Sequence, residues 1–145
     1  MIIQDASATS DWTKEMLDEL HVNLQPLEDC DFECDGMTYA IATALERAGI
    51  THRRMVGHVY WNPGQDVIDP HCWIELANGV VIDFRLRMWV GDDDAVPHGV
   101  FRVQPNDLLY VGQEQTTELP SWEVLEIMTD ERLSQLRLYM PEAIR

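Results

Sequence analysis

The stretch His71-Cys72-Trp73-Ile74-Glu75-Leu76-Ala77-Asn78-Gly79-Val80-Val81-Ile82-Asp83-Phe84 decides how this chain is read. Taken with period two, Cys72, Ile74, Leu76, Val80, Ile82, Phe84 and Leu86 are apolar, and the interleaved set is His71, Trp73, Glu75, Val81, Asp83, Arg85 and Arg87. That pattern predicts a hairpin with one buried face and one chemically equipped face. A two-residue Asn78-Gly79 loop would pair Ile74 with Asp83 and put a carboxylate in the apolar layer. A three-residue loop, Ala77-Asn78-Gly79, with the glycine left-handed, pairs Leu76 with Val80 and Trp73 with Asp83. A one-residue slip turns every side chain to the other face, so burial selects the three-residue loop. His71 and Asp83 then share a face, a diagonal step apart. A carboxylate beside an imidazole on a rigid sheet holds a general base in one tautomer.

The nucleophile to complete such a site stands at Cys34. Cys34 to Ile50 reads Cys-Asp-Gly-Met-Thr-Tyr-Ala-Ile-Ala-Thr-Ala-Leu-Glu-Arg-Ala-Gly-Ile, and Thr-His-Arg-Arg-Met-Val-Gly-His follows. With His71-Cys72-Trp73-Ile74-Glu75 and Asp83 further on, roughly residues 30 to 87 resemble the transglutaminase-like branch of the papain-like cysteine enzymes. There a cysteine opens a helix ending in a Leu-Arg-Ala-x-Gly-Ile-like segment. A strand of Arg-x-Val-x-Gly character, a His-x-Trp-x-Glu strand and an aspartate on the neighbouring strand come next. Here those places are filled by Cys34, Gly49-Ile50, Arg54, Val56-Gly57, His71 to Glu75, and Asp83. The resemblance implies an α+β fold in which a nucleophile helix packs on a twisted antiparallel sheet. It also implies a Cys34-His71-Asp83 triad that transfers an acyl group from an amide.

Composition bounds the partners. The 145 residues suit one domain (1–145) with a real core, and 46% hydrophobic with 25% charged residues describes an ordinary globular chain. Ten Lys+Arg against 26 Asp+Glu give a formal charge of −16. Nucleic acid and anionic membranes both demand positive charge, so neither is expected as a partner. A peptide or protein substrate of basic character would suit the chain better. No apolar run approaches a membrane span of about 20 residues, and the start lacks a secretory pattern, so a cytoplasmic location is expected. Three cysteines then read as free thiols.

Along the chain, Ser10 is expected to cap a helix over 11–20, and 21–33 to be irregular. A largely buried helix should run from about Cys34 to Ala48 and stop at Gly49. A strand over about 52–61 should close on Asn62-Pro63-Gly64, with 65–70 looping to the hairpin. Beyond Leu86, 91–94 and 97–99 read as surface loop, and 100–104 and 108–111 as short strands around Pro105-Asn106-Asp107. Residues 122–128 fit helix and strand equally badly. Asp130–Tyr139 is the better helix, with Thr129 as its cap.

The chemistry follows from a thiol at a helix start. Unpaired amides and the positive end of the helix favour the thiolate, as does an adjacent imidazolium. The thiolate attacks a carbonyl carbon, and His71 protonates the leaving amine. The Cys34 amide is a candidate oxyanion donor. Trp73 should shield the imidazole. Glu75 and Arg85 are candidate site-lining or substrate-binding residues, with an Asp83–Arg85 ion pair as the plainer role for Arg85. Cys30 is the rival thiol, and Cys72 reads as core. A zinc site from Cys30, Cys34, His71 and Cys72 is disfavoured because neighbours on a strand point oppositely, so no cofactor is expected. A remaining alternative is a catalytically silent binding or inhibitory protein of the same fold, of phage type for instance.

Overall fold

The computed structural model describes residues 11–61, 66–91, 94–104 and 108–138, and its class is α+β. Among them, helices α1 (Lys14–Leu24), α2 (Cys34–Ala48), α3 (Leu86–Val90) and α4 (Trp122–Met128) accompany five strands. The strands are β1 (Arg53–Trp61), β2 (Asp66–Glu75), β3 (Val80–Asp83), β4 (Gly99–Arg102) and β5 (Leu108–Glu114). They form one sheet in the order β4-β3-β2-β1-β5, with every pairing antiparallel.

The hairpin has the register expected for a three-residue loop. Ile74 pairs with Ile82 and Glu75 with Val81, and the Leu76 amide donates to the Val80 carbonyl at 2.9 Å. Gly79 has φ +79°, the left-handed conformation expected of it, and Asn78 is left-handed as well at φ +60°. Ile74, Leu76, Val80, Ile82 and Phe84 join Met37, Ile41 and Leu45 of α2 in one core. The opposite face is buried too. Trp73 and Val81 pack there with Met55, Val59, Leu86, Val96 and Leu108.

Curling of the sheet explains this second core. Four strand spacings of about 4.8 Å would hold the edges of a flat sheet about 19 Å apart. Yet the Gln104 carbonyl, two residues beyond β4, accepts the Leu108 amide at the start of β5 at 3.2 Å. The two edge strands therefore approach at one end, and the Trp73 face becomes the inside of the curl. Gly57 and Gly112 pair across β1 and β5. A β-carbon on Gly112 would collide with the Val56 carbonyl and lie 2.8 Å from the Trp73 ring, so the glycine makes room for the indole.

Helix α2 matches its expected span, and Gly49 ends it at φ +77°. Helix α1 departs from expectation, running over 14–24 rather than 11–20. The Thr13 hydroxyl accepts the Met16 amide at 3.2 Å, whereas the Asp11 carboxylate is occupied by Trp12, Asn78 and Arg102. Ser10, the expected cap, lies outside the described residues, as do the Asn62-Pro63-Gly64 and Pro105-Asn106-Asp107 turns.

Residues 66–70 belong to β2 instead of forming a loop, because they pair with the far half of β1 across a bulge. Gly57 pairs with His71 and Val59 with Ile68, so Asp69 and Pro70 stand opposite the single residue His58. The strands at 99–102 and 108–114 flank opposite edges of the sheet. In the described part of the helix expected over 130–139, residues 130–138, there is instead a 3₁₀ turn at Leu133–Gln135. Thr129 ends α4: its hydroxyl donates to the Leu125 carbonyl and accepts the Leu133 amide at 3.2 Å, and Asp130 and Glu131 follow at φ +52° and +62°. Two consecutive left-handed residues break a helix. Among the described residues, no helix is long and apolar enough to cross a membrane.

Candidate active site

Cys34 sits at the first helical position of α2, where the amides of the opening turn have no partners inside the helix. The residue before it, Glu33, makes no side-chain cap, and the Asp35 carboxylate accepts the Gly36 amide at 2.8 Å, so the sulfur shares the positive end of the helix with one first-turn acid. The segment leading in is held by Arg85. Its Nε donates to the Phe32 carbonyl at 2.9 Å, and its Nη2 donates to the carbonyls of Glu28 and Cys30, each at 2.9 Å. Gly36 contributes as well, since a β-carbon there would lie 2.9 Å from Phe32. Arg85 is thus neither a substrate-facing cation nor the side-chain partner of Asp83. Only its backbone amide reaches that carboxylate, at Oδ1, 3.0 Å away. Burial among carbonyls explains the difference, because a guanidinium withdrawn from water satisfies its fork of donors on whatever acceptors the fold offers.

His71 and Asp83 meet inside the curl. His71 Nε2 lies 2.7 Å from Asp83 Oδ2, and the two residues are 0% and 3% exposed. The same Oδ2 accepts the Tyr110 hydroxyl at 2.8 Å. With the Arg85 amide on Oδ1, the carboxylate receives three hydrogen bonds, and it anchors the ring through Nε2. Trp73 lies parallel to the imidazole, with centroids 6.3 Å apart and planes 21° apart, and it packs against Tyr110 at 4.8 Å. His71 Nδ1 is buried and makes no well-formed hydrogen bond, while the Cys34 sulfur lies in looser contact with the ring. Such contacts often tighten only when substrate binds.

The β2–β3 ladder stops at Ile74–Ile82, so the strands part at the level of Cys72 and Phe84. There the helix terminus approaches residues of both faces. The Cys34 sulfur lies beside Cys72, with which it shares the lining of a groove and of a smaller cavity, and beside the His71 ring. The Cys72 thiol contributes most to bringing the Cys34 pKa down to about 5; burial opposes this, and His71 assists. Burial works against charge on His71, but the hydrogen bond to Asp83 and the contact with Cys34 overcome it and raise its pKa to about 9. Between those values the pair is a thiolate and an imidazolium. Cys72 is pushed up, chiefly by its contact with Cys34, and remains a thiol. Cys30 is also raised, by burial, and its sulfur lies 3.7 Å from the Thr129 carbonyl. The rival thiol is thus a structural one.

Cys34 opens onto a groove of about 600 Å³ that Tyr39, Val56, Val67, Asp69, Trp89 and Gln115 help to line. Glu75 is not brought to it. It pairs with Arg53 at 2.6 Å and accepts the Trp73 indole N–H at 3.4 Å, at the opposite end of β2. Tyr110 and Cys72 are the members of this cluster that sequence reasoning did not assign. Tyr110 alternates with Leu108, which hints at its face, but nothing local says that β5 lies beside β1. Cys72 was assigned to the core by the same alternation, and only the parting of the strands exposes it to Cys34. No group of three or more His, Cys, Asp or Glu side chains among the described residues is placed to hold a metal ion. No protein-family model, no curated protein and no solved structure matches the chain.

Proposed function

We propose that the protein is a cysteine-dependent acyl-transfer enzyme with a transglutaminase-like, papain-type core, acting on an amide of a peptide or protein. One observation carries the reading. A cysteine at a helix start, with its pKa lowered to about 5, stands beside an imidazole whose far nitrogen is anchored 2.7 Å from a buried carboxylate. The Cys34 thiolate adds to the carbonyl carbon, and the Cys34 amide at the helix start faces the developing oxyanion. His71 gives its proton to the leaving nitrogen, which departs as ammonia or an amine. The neutral ring then removes a proton from water or a second amine as that group attacks the thioester. Asp83 keeps the imidazole oriented and balances its charge through both steps. Tyr110 and the Arg85 amide do the same for Asp83.

The test is to incubate the protein with glutamine-containing and ordinary peptides, quench in acid, and weigh both the chain and the peptides. An acyl adduct on Cys34, absent from Cys34→Ala, supports the proposal. Release of ammonia, chain cleavage or amine incorporation identifies the acceptor. Unmodified peptides together with an alkylation-competent Cys34 would overturn it in favour of a binding role.

A further inference from the structure

Cys72 is a buried sulfur that makes and breaks no bond in acyl transfer, and it lies beside the nucleophile. Both cysteines are free, and both line the open groove and a smaller cavity beneath it. The inner cavity holds only about 10 Å³ and is walled by Met37, Ile41 and Ile82 together with Thr38, Asp83 and Arg85. That is barely the room one water needs. The sulfur pair is therefore closely packed on the core side and open on the groove side. A small oxidant reaches Cys34 first, since Cys34 is partly exposed and Cys72 only 9% so. Cys30 lies apart, engaged with Thr129 and Arg132.

We infer that Cys34 and Cys72 form an oxidation-responsive pair, in which a hydroperoxide converts Cys34 to a sulfenic acid that Cys72 captures as a reversible disulfide. In the first step the Cys34 thiolate attacks the outer oxygen of the hydroperoxide. The S–O bond forms, the O–O bond breaks, and the alkoxide takes the proton of the His71 imidazolium to leave as an alcohol. In the second step the Cys72 sulfur displaces the hydroxyl group from Cys34. The S–S bond forms, the S–O bond breaks, and the Cys72 proton leaves with the hydroxide as water. Two thiols are oxidised by two electrons and the hydroperoxide is reduced to an alcohol and water. The disulfide blocks the nucleophile while sparing it the irreversible acids further along the oxidation ladder. Forming it draws the two neighbouring sulfurs to about 2.05 Å.

The inference goes beyond acyl transfer, and its readout is mass rather than turnover. The reduced protein is treated with hydrogen peroxide, capped with iodoacetamide, and digested without reductant by a protease that cuts after glutamate, which separates Cys30 from Cys34 at Glu33. The expected product is a Cys34–Cys72 linked peptide lighter by two hydrogens, with labelling of Cys34 fully restored by dithiothreitol. In Cys72→Ser, and in Cys72→Ala should serine disturb folding, Cys34 should be trapped by dimedone. Without the trap it should pass to acids that dithiothreitol does not reverse. A linkage to Cys30, or over-oxidation of the wild type as fast as of the Cys72 variants, overturns the inference. If Cys34 is alkylated at pH 6 but no linkage forms, only this inference fails; if it is not alkylated at pH 6, the proposed function fails with it.

Discussion

Replacing His71 with alanine tests whether imidazole and thiol act together. The Cys34 pKa is lowered from 9.0 to about 5, with contributions from Cys72 and from His71. Removing the ring leaves the Cys72 thiol and the helix end in place, so the midpoint should rise above 5 without reaching 9.0. Well below the midpoint, each unit of rise lowers the thiolate fraction about 10-fold. Thiolates of higher pKa are better nucleophiles, with a Brønsted slope of about 0.45, so each unit also makes the remaining thiolate about 3-fold faster. The net effect of each unit is an iodoacetamide rate about 3-fold lower well below both midpoints and about 3-fold higher well above them. The two pH–rate profiles must cross. Rates are read as Cys34 adduct by mass in a Cys30→Ser background, between pH 4 and 10. A His71→Ala profile with its midpoint still near 5 would refute the argument, because His71 would then contribute nothing to the thiolate.

Other substitutions separate the remaining roles. In the wild type, the alkylation profile should rise with a midpoint near pH 5 and rise again near pH 9, where the imidazolium is lost and the thiolate becomes more basic. Asp83→Asn presents an amide donor to His71 Nε2 or to Tyr110, and it should lower turnover by about 10²–10⁴ through loss of oriented proton transfer. It should also lower the upper alkylation midpoint, which a purely structural Asp83 would leave unmoved. Tyr110→Phe removes one charge-assisted bond to Asp83 Oδ2 and should cost about 1.5–3 kcal/mol in denaturant unfolding, with the ring packing on Trp73 retained. Arg85→Lys cannot serve the carbonyls of Glu28, Cys30 and Phe32 together. It should lower stability by about 3 kcal/mol and raise the Cys34 midpoint as the helix entry loosens, whereas an unchanged melt would remove Arg85 from the positioning of Cys34.

What sequence could and could not reveal divides along the range of the interactions. The hairpin register was legible because a wrong loop length would set Asp83 in the apolar layer of Ile74, Leu76 and Val80, away from His71, a penalty visible in the alternation itself. The span of α2 was legible because a helical stripe ends at a glycine that takes positive φ. The helix expected over 130–139 was not, because Thr129 turns its hydroxyl back onto Leu125 and packs with no exposure, a choice made by contacts rather than by propensity. Residues 66–70 look like a loop until β1 is laid beside them, when a bulge accommodates Asp69 and Pro70.

The candidate site divides in the same way. By itself the sequence determined a helix-start cysteine, and an imidazole and a carboxylate on one strand face, since period and turn length set those placements. Only the tertiary structure decided that this face is interior, that Tyr110 arrives from the far edge to hold Asp83, and that Arg85 turns to the carbonyls before α2. It also decided that Cys72 meets Cys34 where the β2–β3 ladder opens. These depend on the curl of the sheet and the docking of a helix end, which sum many weak long-range contacts, and no local pattern encodes such a sum.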